Sequence, residues 1–130
     1  MPKIAGTLLI TEKNELVLHR RDNKPGIASP GKLSLFGGHM EGQESPREAA
    51  IRELQEEISL DVSQLSLEHV CDFSDANKDY FMFKTMVPTS DFEVYEGVGS
   101  EVYAIEEALA RDDLADAART TIIKLLEGEN

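Results

Sequence analysis

The stretch from Gly38 to Leu60, GHMEGQESPREAAIRELQEEISL, constrains this chain more than any other part of its sequence. After a glycine-bounded turn, Ser45 supplies a helix N-cap, Pro46 occupies the position in the first turn that best tolerates proline, and Glu48 completes a capping box. These three residues predict a helix that begins at about Pro46.

The predicted helix has one apolar and one acidic face. At about 100° per residue, the apolar face carries Ile51, Leu54 and Ile58, and the acidic face carries Glu53, Glu56 and Glu57. Like charges three and four positions apart destabilise a helix by about 0.2–0.5 kcal/mol per pair. A solvated face is the usual explanation for such a pattern, but a surface selected for stability would also carry lysines. Carboxylates grouped in this way suit a divalent cation such as Mg²⁺, which prefers hard oxygen ligands.

The same residues resemble the Nudix box, G-x(5)-E-x(7)-R-E-U-x-E-E-x-G-U, in which U is aliphatic. The matching positions are Gly38, Glu44, Arg52, Glu53, Leu54, Glu56, Glu57 and Leu60. Ser59 departs from the pattern, because the family has glycine there, just past the helix. If the left-handed backbone were kept, a residue other than glycine would cost about 1 kcal/mol. We therefore expect Ser59 to affect the end of the helix and not the chemistry.

The rest of the chain predicts strands around this helix. Runs rich in Leu, Ile and Val at Ile4–Ile10 and Glu15–His19 predict a hairpin, and RRDNKPGIASPGK predicts a loop. Further strands are predicted at LSLF, LEHVCDF, DYFMFKTMVP, FEVYE and EVYAI, and helix from Ile105 onward. This order favours an α/β or α+β fold in one domain over residues 1–130, and the resemblance implies the Nudix α/β/α sandwich with a mixed sheet.

Charge and composition exclude several functions. A formal net charge of −12 disfavours binding to a nucleic-acid polymer, which requires a basic surface. The sequence contains neither an apolar run long enough to cross a bilayer nor a secretory signal, so we expect a cytoplasmic protein that does not bind membranes. Cys71, the single cysteine, is expected to be a small buried apolar residue.

The resemblance implies a role for each matching residue. Nudix hydrolases bind Mg²⁺ or Mn²⁺ through glutamates of the box and split a diphosphate linkage with water. Glu56 and Glu57 would be principal ligands, and Glu53 either a ligand or the group that orients or deprotonates the attacking water. The Gly37 carbonyl would be a further ligand. Arg52 would fix the carboxylates by hydrogen bonds, with help from Glu44.

Residues outside the box complete the predicted site. Glu96, in YEGVGSEVYAIEEAL, is the candidate for a further base or metal ligand, ahead of Glu93 and Glu101, although a solvated loop glutamate is an equal alternative. The candidates for contacting substrate are Arg21, Lys24, Lys32, Gly38 and His39. His19 and His69 are assigned to strands and not to the site.

The resemblance implies a compact MutT-like pyrophosphohydrolase acting on a nucleoside diphosphate derivative, with a (d)NTP or modified nucleotide favoured. Hydrolysis of a nucleotide sugar or ADP-ribose is the alternative, although Asp75 stands where ADP-ribose hydrolases often have proline. An isomerase of isopentenyl diphosphate using Cys71, or a non-catalytic nucleotide-binding module, would be a different class of protein. Many relatives dimerise, which leaves a homodimer open.

Overall fold

The computed structural model of the chain describes residues 1–128, which form a seven-stranded sheet and three helices. The strands are β1 (Lys3–Thr11), β2 (Glu15–Arg20), β3 (Leu33–Ser34), β4 (Phe36–His39), β5 (Glu68–Ser74), β6 (Asp79–Val87) and β7 (Gly99–Ala104). The helices are α1 (Pro46–Glu57), α2 (Ile105–Leu109) and α3 (Asp116–Gly128), with a 3₁₀ turn at Val62–Gln64. None of the helices in these residues is long and apolar enough to span a membrane.

The sheet is mixed, as predicted. The central strand β1 runs antiparallel to β2 and β4 and parallel to β6. Strand β5 extends the sheet beyond β6, and β7 pairs with β2. The predicted hairpin of β1 with β2 is present, and the predicted strands β5 and β6 also pair antiparallel. The predicted strand FEVYE is wrong, since only Val94 of that stretch forms a bridge, to Ile58.

Alternation along β1 separates two apolar cores. Leu8 and Ile10 face α2 and α3, where they pack with Ala118 and Ile122. Ala5 and Leu9 face α1, where they join other buried apolar residues, including Val17, Phe36, Ala50 and Leu54. Because side chains of a strand point alternately to the two faces of a sheet, one strand serves both layers. The result is the predicted α/β/α sandwich.

Helix α1 begins as the sequence predicts and ends differently. Ser45 is the N-cap and makes the reciprocal capping box with Glu48. After Glu57, the backbone of Ile58 is extended, with φ −129° and ψ 155°. Ser59 does not have a positive φ, so the left-handed ending expected for the family's glycine is absent. The prediction of two opposite faces is wrong for Glu57, which is only 1% exposed.

An ion-pair network joins the end of β2 to β7 and to the loop before α3. Nε and Nη2 of Arg20 donate to Glu101, and Nη1 donates to Asp113 at 2.9 Å. Arg111 also donates to Asp113, at 2.8 and 3.0 Å. Hydrogen bonds from Arg111 and Arg20 hold the pKa of Asp113 well below its usual range.

We predict that this network makes the stability of the fold fall with acid. Because the pKa of Asp113 is lower in the folded protein, the unfolded chain takes up a proton first as the pH drops. The stability from Asp113 is therefore fully present above about pH 4 and is lost progressively below it. Thermal unfolding should show wild type more stable than Asp113→Asn at pH 7, with the gap narrowing by pH 3. The exposed neighbour variant Asp112→Asn should match wild type; an equal gap at both pH values would contradict the prediction.

Candidate active site

Three glutamates from two parts of the chain converge at the C-terminal end of α1. Glu53 and Glu57 lie one turn apart on the helix, and Glu96 lies in the loop before β7. One carboxylate oxygen from each lies within 4.8 Å of the others. We call Glu53, Glu57 and Glu96 the acid cluster. The spacing of the helix supplies two of its members, but Glu96 depends on how its loop docks.

The loop docks by pairing with the chain that leaves α1. The Tyr95 amide donates to the Glu57 carbonyl at 2.7 Å, and the Ser59 amide donates to the Glu93 carbonyl at 3.0 Å. Between them, Ile58 and Val94 form an antiparallel bridge. The extended backbone after α1 therefore carries the loop across the end of the helix and brings Glu96 to Glu57.

The Glu57 carboxyl is buried among groups that disfavour its charge. Burial, followed by the charge of Glu53 and then by the side chain of Glu96 through hydrogen bonding and charge, raises the pKa of Glu57 to about 9. Its Oε1 atom has no hydrogen-bond partner among residues 1–128. A buried polar atom without a partner costs about 1–3 kcal/mol. The fold accepts this cost at the acid cluster.

Arg52 holds the more exposed acids in place. Its Nε and Nη2 atoms donate to Glu44 at 2.6 and 3.0 Å, and Nη1 donates to Glu53 at 3.1 Å and to Glu56 at 3.0 Å. Nη2 also donates to the His39 carbonyl at 3.0 Å. One guanidinium thus satisfies three carboxylates and ties α1 to the turn after β4.

The structure separates Glu56 from the acid cluster. Its side chain is 56% exposed and is paired with Arg52, whereas the side chain of Glu53 is 12% exposed. Burial raises the pKa of Glu53, although the Arg52 hydrogen bond acts in the opposite direction. Glu101 lies on β7 with Arg20, and the exposed Glu93 contacts Ser59 through its backbone. Cation binding by Glu56 stays a prediction.

Gly38 allows strand β4 to pass directly over the acid cluster. A Cβ atom at Gly38 would lie 2.6 Å from Oε1 of Glu53, closer than real side chains allow. Gly37, whose carbonyl is a predicted ligand, precedes it in β4 and pairs with Gly6 of β1. The backbone of β4 therefore replaces side chains as one wall of the site.

His19 belongs to the site although the sequence analysis left it out. It is 3% exposed and stacks on Phe36 with ring centroids 4.9 Å apart. Its Nε2 atom lies 2.8 Å from the Glu96 carbonyl, and Nδ1 lies 4.0 Å from Oε2 of Glu57. Strand alternation places His19 on the same face as Val17, but the sequence does not show that α1 covers this face. The contact to Glu96 leaves no signal in the sequence.

Two cavities share Arg21; one is lined by Gly37–His39 of β4 and the other by Glu96 of the acid cluster. The first, which we call the slot, lies between the sheet and α3, and its lining includes Ile4, Leu35, Phe36, Met82, Ala115 and Ala118 together with Gly37–His39. The second, the groove, is lined by His19, Arg21, Asp22, Lys24, Ile27, Tyr95, Glu96 and Gly97. The predicted substrate residues Arg21, Gly38 and His39 thus border the slot, and Arg21 and Lys24 border the groove. Lys32 borders neither.

The acid cluster fits a divalent cation. Its three converging side chains offer only carboxylate oxygens, the ligands preferred by Mg²⁺ and Mn²⁺. The unpartnered oxygen of Glu57 lacks a positive partner of the kind that a cation would supply, and Gly38 leaves the space beside Glu53 free of a side chain. The cluster is therefore a candidate metal site.

Comparison with known proteins places this geometry in a family. The family model of the NUDIX domain matches residues 2–124. The chain belongs to the Nudix family. The predicted family and the assignment as a Nudix hydrolase are thereby confirmed.

Individual relatives agree in sequence and in structure. The 8-oxo-dGTP diphosphatase of Escherichia coli (strain K12) is 29% identical over 125 residues, which are 95% of each chain. The MutT protein from Methanosarcina mazei Go1 superposes with a TM-score of 0.77 at 22% identity, covering 99% of this chain and 95% of the other. The Nudix domain of Shewanella oneidensis NrtR, solved with ADP-ribose, gives a TM-score of 0.77 at 18% identity, with coverage of 98% and 88%. The two structures establish a shared Nudix fold.

We predict that Glu57→Gln stabilises the protein in a chelating buffer. The amide keeps the shape of the side chain. Because burial raises the pKa of Glu57 to about 9, the wild-type carboxyl must take up a proton on folding near neutral pH. Glutamine avoids that cost, so the melting temperature should rise by roughly 3–8 °C, equivalent to about 1–2 kcal/mol. Added Mn²⁺ should raise the melting temperature of wild type and not that of Glu57→Gln, as differential scanning fluorimetry would show. Glu56→Gln, an exposed change on the same helix, should not stabilise; stabilisation of both variants, or of neither, would contradict the prediction.

Proposed function

We propose that this Nudix hydrolase is an Mg²⁺-dependent pyrophosphohydrolase, able to use Mn²⁺, that cleaves the diphosphate linkage of a (d)NTP or modified nucleotide. The observation that carries the proposal is the convergence of Glu53, Glu57 and Glu96 within 4.8 Å. Arg52 fixes the outer carboxylates, and Glu96 of the cluster lines the groove. The family match supports the same chemistry.

The residues of the site divide the work of hydrolysis. Bound divalent cations would neutralise phosphate charge and lower the pKa of the attacking water. Glu57 and Glu96 would hold the cations, and Glu53 would either join them or accept a proton from the water. Glu53 suits the second role because burial raises its pKa, which makes its carboxylate a better base. Arg52 keeps Glu53 pointed at the cluster through the 3.1 Å bond from Nη1.

The slot supports a nucleoside as the group attached to the phosphates. Its walls are largely apolar, and the polar residues Arg21, Ser34, Lys78 and Tyr80 also line it. A flat base buried in such a slot gains from apolar contact and is oriented by a few polar groups. Tyr80, a partly exposed aromatic residue, lines it. Similarity to the Escherichia coli 8-oxo-dGTP diphosphatase supports a nucleoside triphosphate, including an oxidised one.

The groove favours a second candidate, an ADP-ribose or nucleotide-sugar hydrolase. Tyr95 is 58% exposed at its edge, and Arg21 and Lys24 line it beside Glu96. A substrate with a sugar beyond its diphosphate could place that sugar against Tyr95. The ADP-ribose bound to the Shewanella oneidensis domain supports this alternative.

The isomerase has less support than either hydrolase. Cys71 packs in the core with Leu8, Ala118 and Ile122, on the face of the sheet opposite α1 and Glu57. Its thiol is buried there and lines neither the slot nor the groove, so it does not reach the acid cluster. The non-catalytic module is disfavoured because every glutamate of the box is present. A single domain over residues 1–130, a homodimer and a cytoplasmic location stay predictions.

We predict cation-dependent turnover that requires Glu57. Phosphate release coupled to inorganic pyrophosphatase should be measured over dNTPs, oxidised dNTPs, nucleotide sugars and ADP-ribose, in Mg²⁺ and in Mn²⁺. A triphosphate gives pyrophosphate and a monophosphate, whereas ADP-ribose gives two monoesters that only added alkaline phosphatase reveals. Glu57→Gln should lower kcat at least about 100-fold, since it removes a buried carboxylate from the cluster. The exposed change Glu68→Gln on β5 should match wild type; absence of turnover on every substrate would contradict the proposal.

We predict that Glu96 contributes to turnover and that Glu93 does not. Glu96→Gln should lower kcat by about 10- to 100-fold and weaken Mn²⁺ binding measured by calorimetry, because it removes one of three carboxylates. Glu93→Gln is a matched control, since it lies in the same loop and keeps the backbone bonds of Glu93 to Ser59. Equal effects of the two substitutions would show that the loop, and not the Glu96 carboxylate, is required.

A further inference from the structure

We infer that Ser59 and His19 are positioning residues that hold Glu93–Val98, the Glu96 segment, so that the Glu96 carboxylate lies beside Glu53 and Glu57 before a cation binds. The effect of this positioning on turnover rests on the proposed function. Both residues contact the segment from elements already fixed in the fold. Ser59 contacts it from the end of α1, and His19 from β2.

Ser59 holds the start of the Glu96 segment through two hydrogen bonds. Its amide donates to the Glu93 carbonyl at 3.0 Å, and its hydroxyl oxygen accepts from the Glu93 amide at 2.8 Å. Glycine, which the family has at this position, could make only the first of these bonds. The departure from the box pattern therefore adds a contact that closes a ring between residues 59 and 93.

His19 holds the Glu96 residue itself. A carbonyl can only accept, so Nε2 of His19 must donate the 2.8 Å hydrogen bond to the Glu96 carbonyl. The imidazole is fixed in turn, because it is 3% exposed and stacks on Phe36 with an interplanar angle of 14°. A rigid donor thus sets the position of the backbone from which the Glu96 side chain extends.

Gly97, which follows Glu96, lets the segment approach His19 and Arg20 closely. Gly97 has φ +71°, and a Cβ atom there would lie 2.6 Å from both Nε2 of His19 and the Arg20 carbonyl. The Val98 amide donates to the same Arg20 carbonyl at 2.9 Å. The segment is therefore attached at both ends and in the middle.

The experiment compares variants that remove one contact with variants that keep it. Ser59→Ala loses only the hydroxyl, and Ser59→Thr keeps it. His19→Phe keeps an aromatic ring for Phe36 and loses the donor, and His19→Gln keeps an N–H donor. Two quantities are measured without substrate: hydrogen exchange of the Tyr95 and Val98 amides in chelating buffer, and Mn²⁺ affinity by titration calorimetry.

We expect Ser59→Ala and His19→Phe to speed exchange of both amides and to weaken Mn²⁺ binding by about 10-fold, as loss of a residue that orients a ligand does. Ser59→Thr and His19→Gln should stay within about 2-fold of wild type. In a Glu96→Gln background, Ser59→Ala should weaken Mn²⁺ binding no further, since the residue acts through Glu96. That non-additivity distinguishes positioning from general loss of stability.

Two results would overturn the inference. One is that the Tyr95 and Val98 amides of Ser59→Ala exchange hydrogen at the wild-type rate. This result would overturn the inference even if His19→Phe failed to fold. The other is faster exchange with wild-type Mn²⁺ affinity, which would mean that the held segment does not prepare the cluster. Absence of Mn²⁺ binding by wild type would instead contradict the proposed function, and the exchange rates would still report whether Ser59 and His19 hold the segment.

Discussion

The burial of the Glu57 carboxyl is the constraint on which the arrangement of the site depends. A charge removed from water is costly unless a partner compensates for it, and the immediate neighbours of Glu57 are two further acids. The protein does not relieve this by turning Glu57 outward. Strand β4 covers it on one side, and pairing of Tyr95 with the Glu57 carbonyl at 2.7 Å covers it on another. Such an arrangement is stable only because the rest of the sandwich outweighs it, and it is useful only if a cation supplies the missing charge.

Arg52 explains how one short helix tolerates so many glutamates. The like-charge pairs of α1 would repel in isolation, but Glu53 and Glu56 both accept from Nη1 of Arg52, and Glu44 takes the other edge of the guanidinium. Of Glu53, Glu56 and Glu57, only Glu57 accepts no hydrogen bond from Arg52. Glu53 and Glu56 are therefore paired with Arg52, whereas Glu57 is left for a cation. Glu53 is paired with Arg52 and is also a member of the acid cluster.

Local patterns predicted the parts of the structure that local physics decides. The capping box of Ser45 and Glu48 predicted the start of α1, and the runs rich in Leu, Ile and Val at Ile4–Ile10 and Glu15–His19 predicted the hairpin. The spacing of the box brought Glu53 and Glu57 onto one turn. Glu96 was a candidate only by resemblance, because its loop reaches α1 through backbone pairing that no side-chain pattern encodes. His19 was missed for a related reason, since its role lies in one bond to a carbonyl distant in sequence.

Ser59 shows how a departure from a family pattern can be misjudged from sequence. Considered alone, it replaces a glycine suited to left-handed backbone and predicts strain at the helix end. The chain instead leaves α1 in extended conformation at Ile58, where a side chain costs nothing and its hydroxyl finds the Glu93 amide. The same substitution thus changes from a penalty to a contact once the partner loop is in place.

The distribution of charge gives this contact a further consequence. Because a protein of net charge −12 presents three carboxylates at the cluster, phosphates meet repulsion there until a metal cation is bound. Cation and substrate must then each raise the affinity of the other, and whatever holds Glu96 in place strengthens both.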